Sequence, residues 1–240
     1  MLKLVKYDFR RNRDKILAVF VVTILVQIWI GFVNFKDQEM FSLNAVVYVL
    51  AVLIVYVFAL RTYVHNLKSY NRRLLPIKTL YTVLSPMVLF FVLLLGVVVM
   101  VLIHLGVYAM MYSTSYLPTS FWKGASFSVV LLFWLTGFSI LLVMFSITVA
   151  LSIPFKGRVW IGIVTCFILQ YVISFLEEWI FEGSMSNNAL RVGLIDESTF
   201  RSMSSLSREA SIIWPTLFEA FIALIMLYGI VKLVKKRVET

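Results

Sequence analysis

The sequence predicts an all-α membrane protein of six transmembrane helices, both termini cytoplasmic, with a short amphipathic interfacial helix at the N-terminus. Three observations predict it. Of the 240 residues 61% are hydrophobic and 14% charged, whereas soluble domains are about 45–50% apolar and roughly 25% charged. The apolar residues gather into six windows, each near the ~20 residues that a span requires. The basic residues fall at alternate connections: six in 3–15, five in 61–78, two in 156–158 and four in 232–237, together 17 of the 22 Lys and Arg. The rule that basic loops stay inside makes that side cytoplasmic.

The windows are Ile16 to Phe35, Leu43 to Leu60, Val83 to Met111, Phe127 to Ile153, Val159 to Leu176 and Ser211 to Val234. Stretches such as Val46 to Phe58 lack the alternation of a barrel strand, so helices are predicted. The third window is about 43 Å long as a helix, longer than a ~30 Å hydrocarbon core, and it must tilt, protrude or break. Pro86 near its start suits a first turn. The first window is too long for a signal-peptide core and no small-residue cleavage site follows, which predicts a retained helix. The chain forms a single transmembrane domain of residues 1–240, and nothing in it leaves room for a large catalytic domain.

Residues 1–15, MLKLVKYDFRRNRDK, place Leu2, Val5 and Phe9 at helical spacing beside Lys3, Lys6, Arg10 and Arg13. That pattern predicts a helix on the inner leaflet, bound to anionic lipid, which turns into the first span at residue 16. The longest cytoplasmic loop, 61–79, carries Tyr63, Leu67, Tyr70 and Leu74 on one helical stripe with Arg72 and Arg73 on other faces. Pro76 ends the helix before the chain re-enters the membrane. A charged helix with one apolar ridge, too short to fold alone, suits docking on another protein; a solvated, orientation-setting loop is the alternative. Residues 177–210 form a polar outer segment, predicted as short helices over the outer leaflet or as a surface loop.

These features together resemble the membrane (permease) subunit of a type-2 ATP-binding-cassette exporter. The stretches that carry the resemblance are LVKYDFRRNRDKIL at Leu4 to Leu17 and NRRLLPIKTLYTVLSP at Asn71 to Pro86, the latter with a Leu-Pro-hydrophobic turn after the stripe. The resemblance implies two permease subunits, as a homo- or heterodimer, around a translocation path in a bacterial plasma membrane. It also implies a separate ATPase subunit that holds ATP and Mg, with residues 63–74 as the helix that couples to it. By this resemblance Tyr63, Leu67, Tyr70, Arg72, Arg73, Leu74 and Pro76 face the ATPase. The sequence itself has no G-x-x-x-x-G-K-[ST] motif, so no phosphate-binding loop of that kind is present. The chain is expected to be no enzyme and to bind no cofactor, metal or nucleic acid. Related subunits move peptides, antibiotics, lipids and polysaccharides, and 15% aromatic content inclines the substrate towards a peptide or antimicrobial compound.

Polar residues inside spans are costly and mark function or helix–helix hydrogen bonding. Gln27, His104, Gln170 and Glu219 lie at one depth in the outer half of four predicted spans, and Tyr108 is one turn from His104. They are the translocation-path residues the sequence offers, with Glu219 and His104 as a pair, or else they hold helices together. LEEWIFEG at 176–183 approaches the Glu-Glu-x-x-x-Arg motif of membrane-embedded CAAX-type proteases. Glu182 stands where their arginine belongs, and neither His65 nor His104 falls in the histidine motifs those enzymes need. A secondary carrier, which usually shows internal repeats, and a membrane scaffold without transport are the remaining alternatives. The lone Cys166 excludes a disulfide framework within the chain.

Overall fold

The computed structural model describes residues 2–33, 37–68, 79–111, 121–153, 157–181 and 209–238. These form six α-helices: α1 (Leu2–Phe32), α2 (Asp37–Lys68), α3 (Thr79–Met111), α4 (Phe121–Ser152), α5 (Arg158–Ile180) and α6 (Glu209–Val238). Each contains a stretch long and apolar enough to cross a membrane. The protein is therefore an all-helical, multi-pass membrane protein.

Every helix begins before the apolar window that predicted it, and α2, α5 and α6 also end beyond theirs. Backbone hydrogen bonding propagates cheaply once a helix is nucleated, so the ends follow the backbone and not the edge of the hydrophobic run. The clearest correction is at the N-terminus. The expected turn at residue 16 is absent: α1 is one helix of 31 residues that carries the basic segment straight into the apolar one. Pro86 is likewise not in a first turn but in the interior of α3. It is fully buried, as in membrane helices where neighbours compensate the lost donor. Glu177 and Glu178, expected in the outer segment, belong to the last turn of α5. Residues 182–208 of that segment and the loop residues 69–78 lie outside the described residues.

The chain divides into two compact units, residues 1–116 and 117–240. In the first, α1, α2 and α3 pack pairwise on one another. The buried face of α2 runs through Ala51, Val55, Ala59 and Tyr63, a spacing of four residues that gives one stripe. Opposite it, α3 buries Val83, Phe90, Leu94 and Val97, and Tyr56 meets Phe90 edge to face with centroids 5.8 Å apart. In the second unit α4 packs on both α5 and α6. Its core is Ile140, Leu141 and Met144 of α4, Ile173 of α5 and Met226 and Ile230 of α6. Elsewhere the surface is apolar: Phe167, Trp179, Phe221 and Leu224 are all well exposed, which is stable only against lipid.

Small residues set the close approaches, as expected where packing rather than water drives helix association. A Cβ on Gly96 of α3 would stand 3.0 Å from Cζ of Phe20 of α1, and one on Gly229 of α6 would stand 2.8 Å from Cε2 of Phe145 of α4. Overpacking typically costs about 1–3 kcal/mol. Gly96→Leu is therefore expected to lower the melting temperature in detergent, and Phe20→Ala on top of it to recover part of the loss. An unchanged melting temperature in Gly96→Leu would place the α1–α3 contact elsewhere.

Hydroxyls along the spans are satisfied locally. Thr23 donates to the Val19 carbonyl at 2.8 Å, Ser146 to Leu142 at 3.0 Å and Thr148 to Met144 at 2.7 Å. These bonds to the preceding turn satisfy the hydroxyl donors within the helix itself.

Candidate functional site

The first unit contains a buried carboxylate that the sequence did not single out. Asp8 of α1 is completely enclosed although it sits among Lys6, Arg10 and Arg11. Its Oδ2 accepts hydrogen bonds from Nδ2 of Asn66 of α2 at 3.2 Å and from Oγ of Ser85 of α3 at 2.8 Å. Arg11 approaches Oδ1 at 3.8 Å. One turn on, Asn12 donates to Oγ1 of Thr62 of α2 at 3.2 Å and to the Asp8 carbonyl at 3.0 Å. Thr62, Asn66 and Ser85 are themselves buried. A buried charge persists only when it is paired and hydrogen-bonded, and here three helices supply the partners. Asp8 thus anchors this part of α1 to α2 and α3, where the sequence suggested an amphipathic helix lying on the inner leaflet.

The other end of the same three helices holds a second polar group. Gln27 of α1 donates from Nε2 to the Asn44 carbonyl of α2 at 3.5 Å. Four residues along α2, the Tyr48 hydroxyl shares a 2.9 Å hydrogen bond with Nδ1 of His104 of α3, their rings tilted with centroids 5.9 Å apart. Gln27 Oε1 and Asn44 Oδ1 are buried with no hydrogen-bond partner among the described residues. Each such acceptor costs about 1–3 kcal/mol in an apolar setting, so a donor placed here would be held.

The two groups share one design. Along α2 the inward face reads Asn44, Tyr48, Ala51, Val55, Ala59, Thr62, Asn66, steps of three or four that keep one side of a helix. The seam is apolar in its middle and polar at both ends. Asp8, Asn12, Ile16, Thr23 and Gln27 trace the matching face of α1.

In the second unit Trp134 of α4 donates its indole N–H to Oε2 of Glu219 of α6. Glu177 of α5 lies in the neighbourhood of Glu219, and its Oε1 is buried without a hydrogen-bond partner among the described residues. Glu219 thus has a hydrogen-bond partner within its own unit, as His104 has Tyr48 in the first. Gln170 of α5 is exposed on the apolar outer face with Phe167 and Tyr171, not turned into a helix contact.

Of the residues expected on the coupling stripe, Tyr63 is fully buried in the core of the first unit. It is a packing residue of α2 and presents nothing to a partner. Leu67 is half-buried one turn later, while Tyr70, Arg72, Arg73, Leu74 and Pro76 lie outside the described residues. The same holds for the side chain of Tyr108, whose backbone belongs to α3. Asp8, Asn44, Tyr48, Trp134 and Glu177 are the site residues that sequence reasoning missed. Among the described residues no three of His, Cys, Asp and Glu gather as a metal site. No protein-family model, curated protein or solved structure matches the chain.

Proposed function

We propose that the chain is the permease subunit of an ATP-driven exporter of the type-2 ATP-binding-cassette kind. In this reading it lies in a plasma membrane with both termini cytoplasmic, pairs with a second permease subunit and couples to a separate ATPase that holds ATP and Mg. The observation that carries the reading is the polar group around Asp8. Asn66 lies two residues before the end of α2, and Ser85 lies in the second turn of α3. Asp8 therefore ties both stems of the basic 69–78 loop to α1. A loop that serves only to orient the chain needs no such fastening; one that receives force from a partner does. The buried acceptors of Gln27 and Asn44 beside Tyr48 and His104 would offer a polar step to hydrogen-bond donors on a substrate, such as the amides and amines of a peptide.

The double substitution Tyr70→Asp and Leu74→Asp tests the docking. Both residues fall in the sequence between α2 and α3, outside the apolar spans, so insertion into the membrane should persist. An ATPase that co-purifies with the unaltered chain should be lost. If the same amount of ATPase co-purifies with the variant, the loop is not the docking element.

A further inference from the structure

The residues that end the seam are spaced alike on all three helices of the first unit. Asp8 and Gln27 are 19 residues apart on α1, Tyr48 and Asn66 18 apart on α2, and Ser85 and His104 19 apart on α3. At 1.5 Å per residue each interval is about 27–29 Å. The helices run up, down and up, so equal intervals bring Asp8, Asn66 and Ser85 together at one end and Gln27, Asn44, Tyr48 and His104 at the other. Between the two levels the seam is lined mainly by apolar side chains such as Ala51, Val55, Phe90 and Leu94, and apolar helix faces slide more readily than hydrogen-bonded ones. A shift of one helix along its axis would break polar contacts at both levels at once. α1 has no proline, and its only glycine is Gly31, beyond the second level, so the usual causes of a kink are missing from its interval; α3 carries Pro86 and Gly96 inside its own interval, and there straightness depends on packing against α1 and α2.

We infer that Asp8 is a positioning residue that locks α1, α2 and α3 into one rigid body, so that displacement of the 69–78 loop is delivered undiminished to the Gln27–Asn44–Tyr48–His104 group about 28 Å away. This rests on the permease reading for the origin of the force, but the rigidity is a property of the unit itself. The Asp8 carboxylate contacts both loop stems. Removing its Ser85 arm frees α3 from α1 at the loop end while the far end stays tied, and the body becomes a hinge.

The test uses the full chain with Cys166→Ser and spin labels at Leu80→Cys and Trp29→Cys, two exposed positions at opposite ends of α3 and α1. Pulsed-dipolar distances are recorded for the chain alone and for its complex with the ATPase, before and after trapping with ATP and vanadate. The expected result is a narrow distribution that keeps its width and mean on trapping. Ser85→Ala and Asp8→Asn should each broaden it about two-fold, and Asp14→Ala, which alters an exposed carboxylate, should leave it unchanged. Ser85→Ala removes one hydroxyl and keeps the fold, so the comparison does not depend on a variant that fails to assemble. Equal widths in the unaltered chain, Ser85→Ala and Asp8→Asn would overturn the assignment. Absence of any ATPase complex would instead sink the permease reading, and the widths of the isolated chain would still decide the role of Asp8.

Discussion

Replacing Asp8 by alanine is expected to produce the largest loss of stability of any single change among the charged residues of the basic N-terminal segment. The substitution removes the acceptor used by Asn66 Nδ2 and Ser85 Oγ and the carboxylate facing Arg11. Hydrogen bonds to a charged group contribute about 1.5–3 kcal/mol each, and a buried donor deprived of its acceptor keeps its desolvation cost. Two such bonds give about 3 kcal/mol or more, which for a chain of this size corresponds to a fall in melting temperature of roughly 6–12 °C. Thermal unfolding of purified Asp8→Ala in detergent measures it. Asp14→Ala serves as control because its carboxylate is 89% exposed and meets only Arg13; exposed ion pairs contribute about 0–1 kcal/mol. Adding Ser85→Ala to Asp8→Ala should cost less than the sum of the single changes, since the two residues share a bond. Strict additivity would mean that the Asp8–Ser85 bond contributes nothing.

Trp134→Phe is expected to give the second largest effect, and a rescue that separates electrostatics from packing. Phenylalanine keeps most of the apolar contact but lacks the indole N–H that Glu219 accepts from. The Glu219 carboxylate is then left beside Glu177 with this donor gone. A lost bond to a charged acceptor predicts about 2 kcal/mol and a fall of roughly 4–8 °C. Combining Trp134→Phe with Glu219→Gln removes the charge that needed the donor, and the double variant should melt above Trp134→Phe alone. If Glu219→Gln brings no recovery, Trp134 contributes by volume only. The same variants bear on transport: were the carboxylate needed for the path, the double variant would be stable yet inactive.

The six spans were legible because lipid imposes a demand that the sequence must meet everywhere along a helix. Some 20 apolar residues in a row leave few other outcomes. Helix ends were less legible, because the apolar run stops at the membrane edge while the backbone ladder continues. That is why α1 begins at Leu2 and not at residue 16, and why Glu177 proved helical. Asp8 was hidden by its neighbours: amid Lys6, Arg10, Arg11 and Arg13 it reads as one more charge on a solvated face. Its partners Asn66 and Ser85 lie 58 and 77 residues away, and local periodicity carries no information on such pairing. Tyr48 and Trp134 were absorbed into apolar runs although each has a polar tip that must find a partner when buried. A signal was nonetheless present. The i, i+4 pairs Asp8–Asn12, Asn44–Tyr48 and Thr62–Asn66 each put two polar groups on one helix face, which is costly at a span boundary unless another helix answers them.

Tyr63 shows the converse. Its spacing to Leu67, Tyr70 and Leu74 is helical, but so is its spacing to Ala59 and Val55, and the second register is the one that is buried. A stripe that continues an apolar span belongs first to the span. Tyr63 therefore belongs to no docking stripe, and of the expected members Leu67, in the last turn of α2, is the first that is not buried.

The central claim, that this chain is driven by a separate ATPase, is tested most directly by isolating the tagged chain from its own membranes in mild detergent. ATP hydrolysis is then measured across a size-exclusion peak. The account predicts one ATP-binding-cassette subunit in near-stoichiometric amount and vanadate-sensitive hydrolysis that co-elutes with the chain and disappears with Tyr70→Asp and Leu74→Asp. A chain that elutes intact with no nucleotide-binding subunit and no hydrolysis would contradict it.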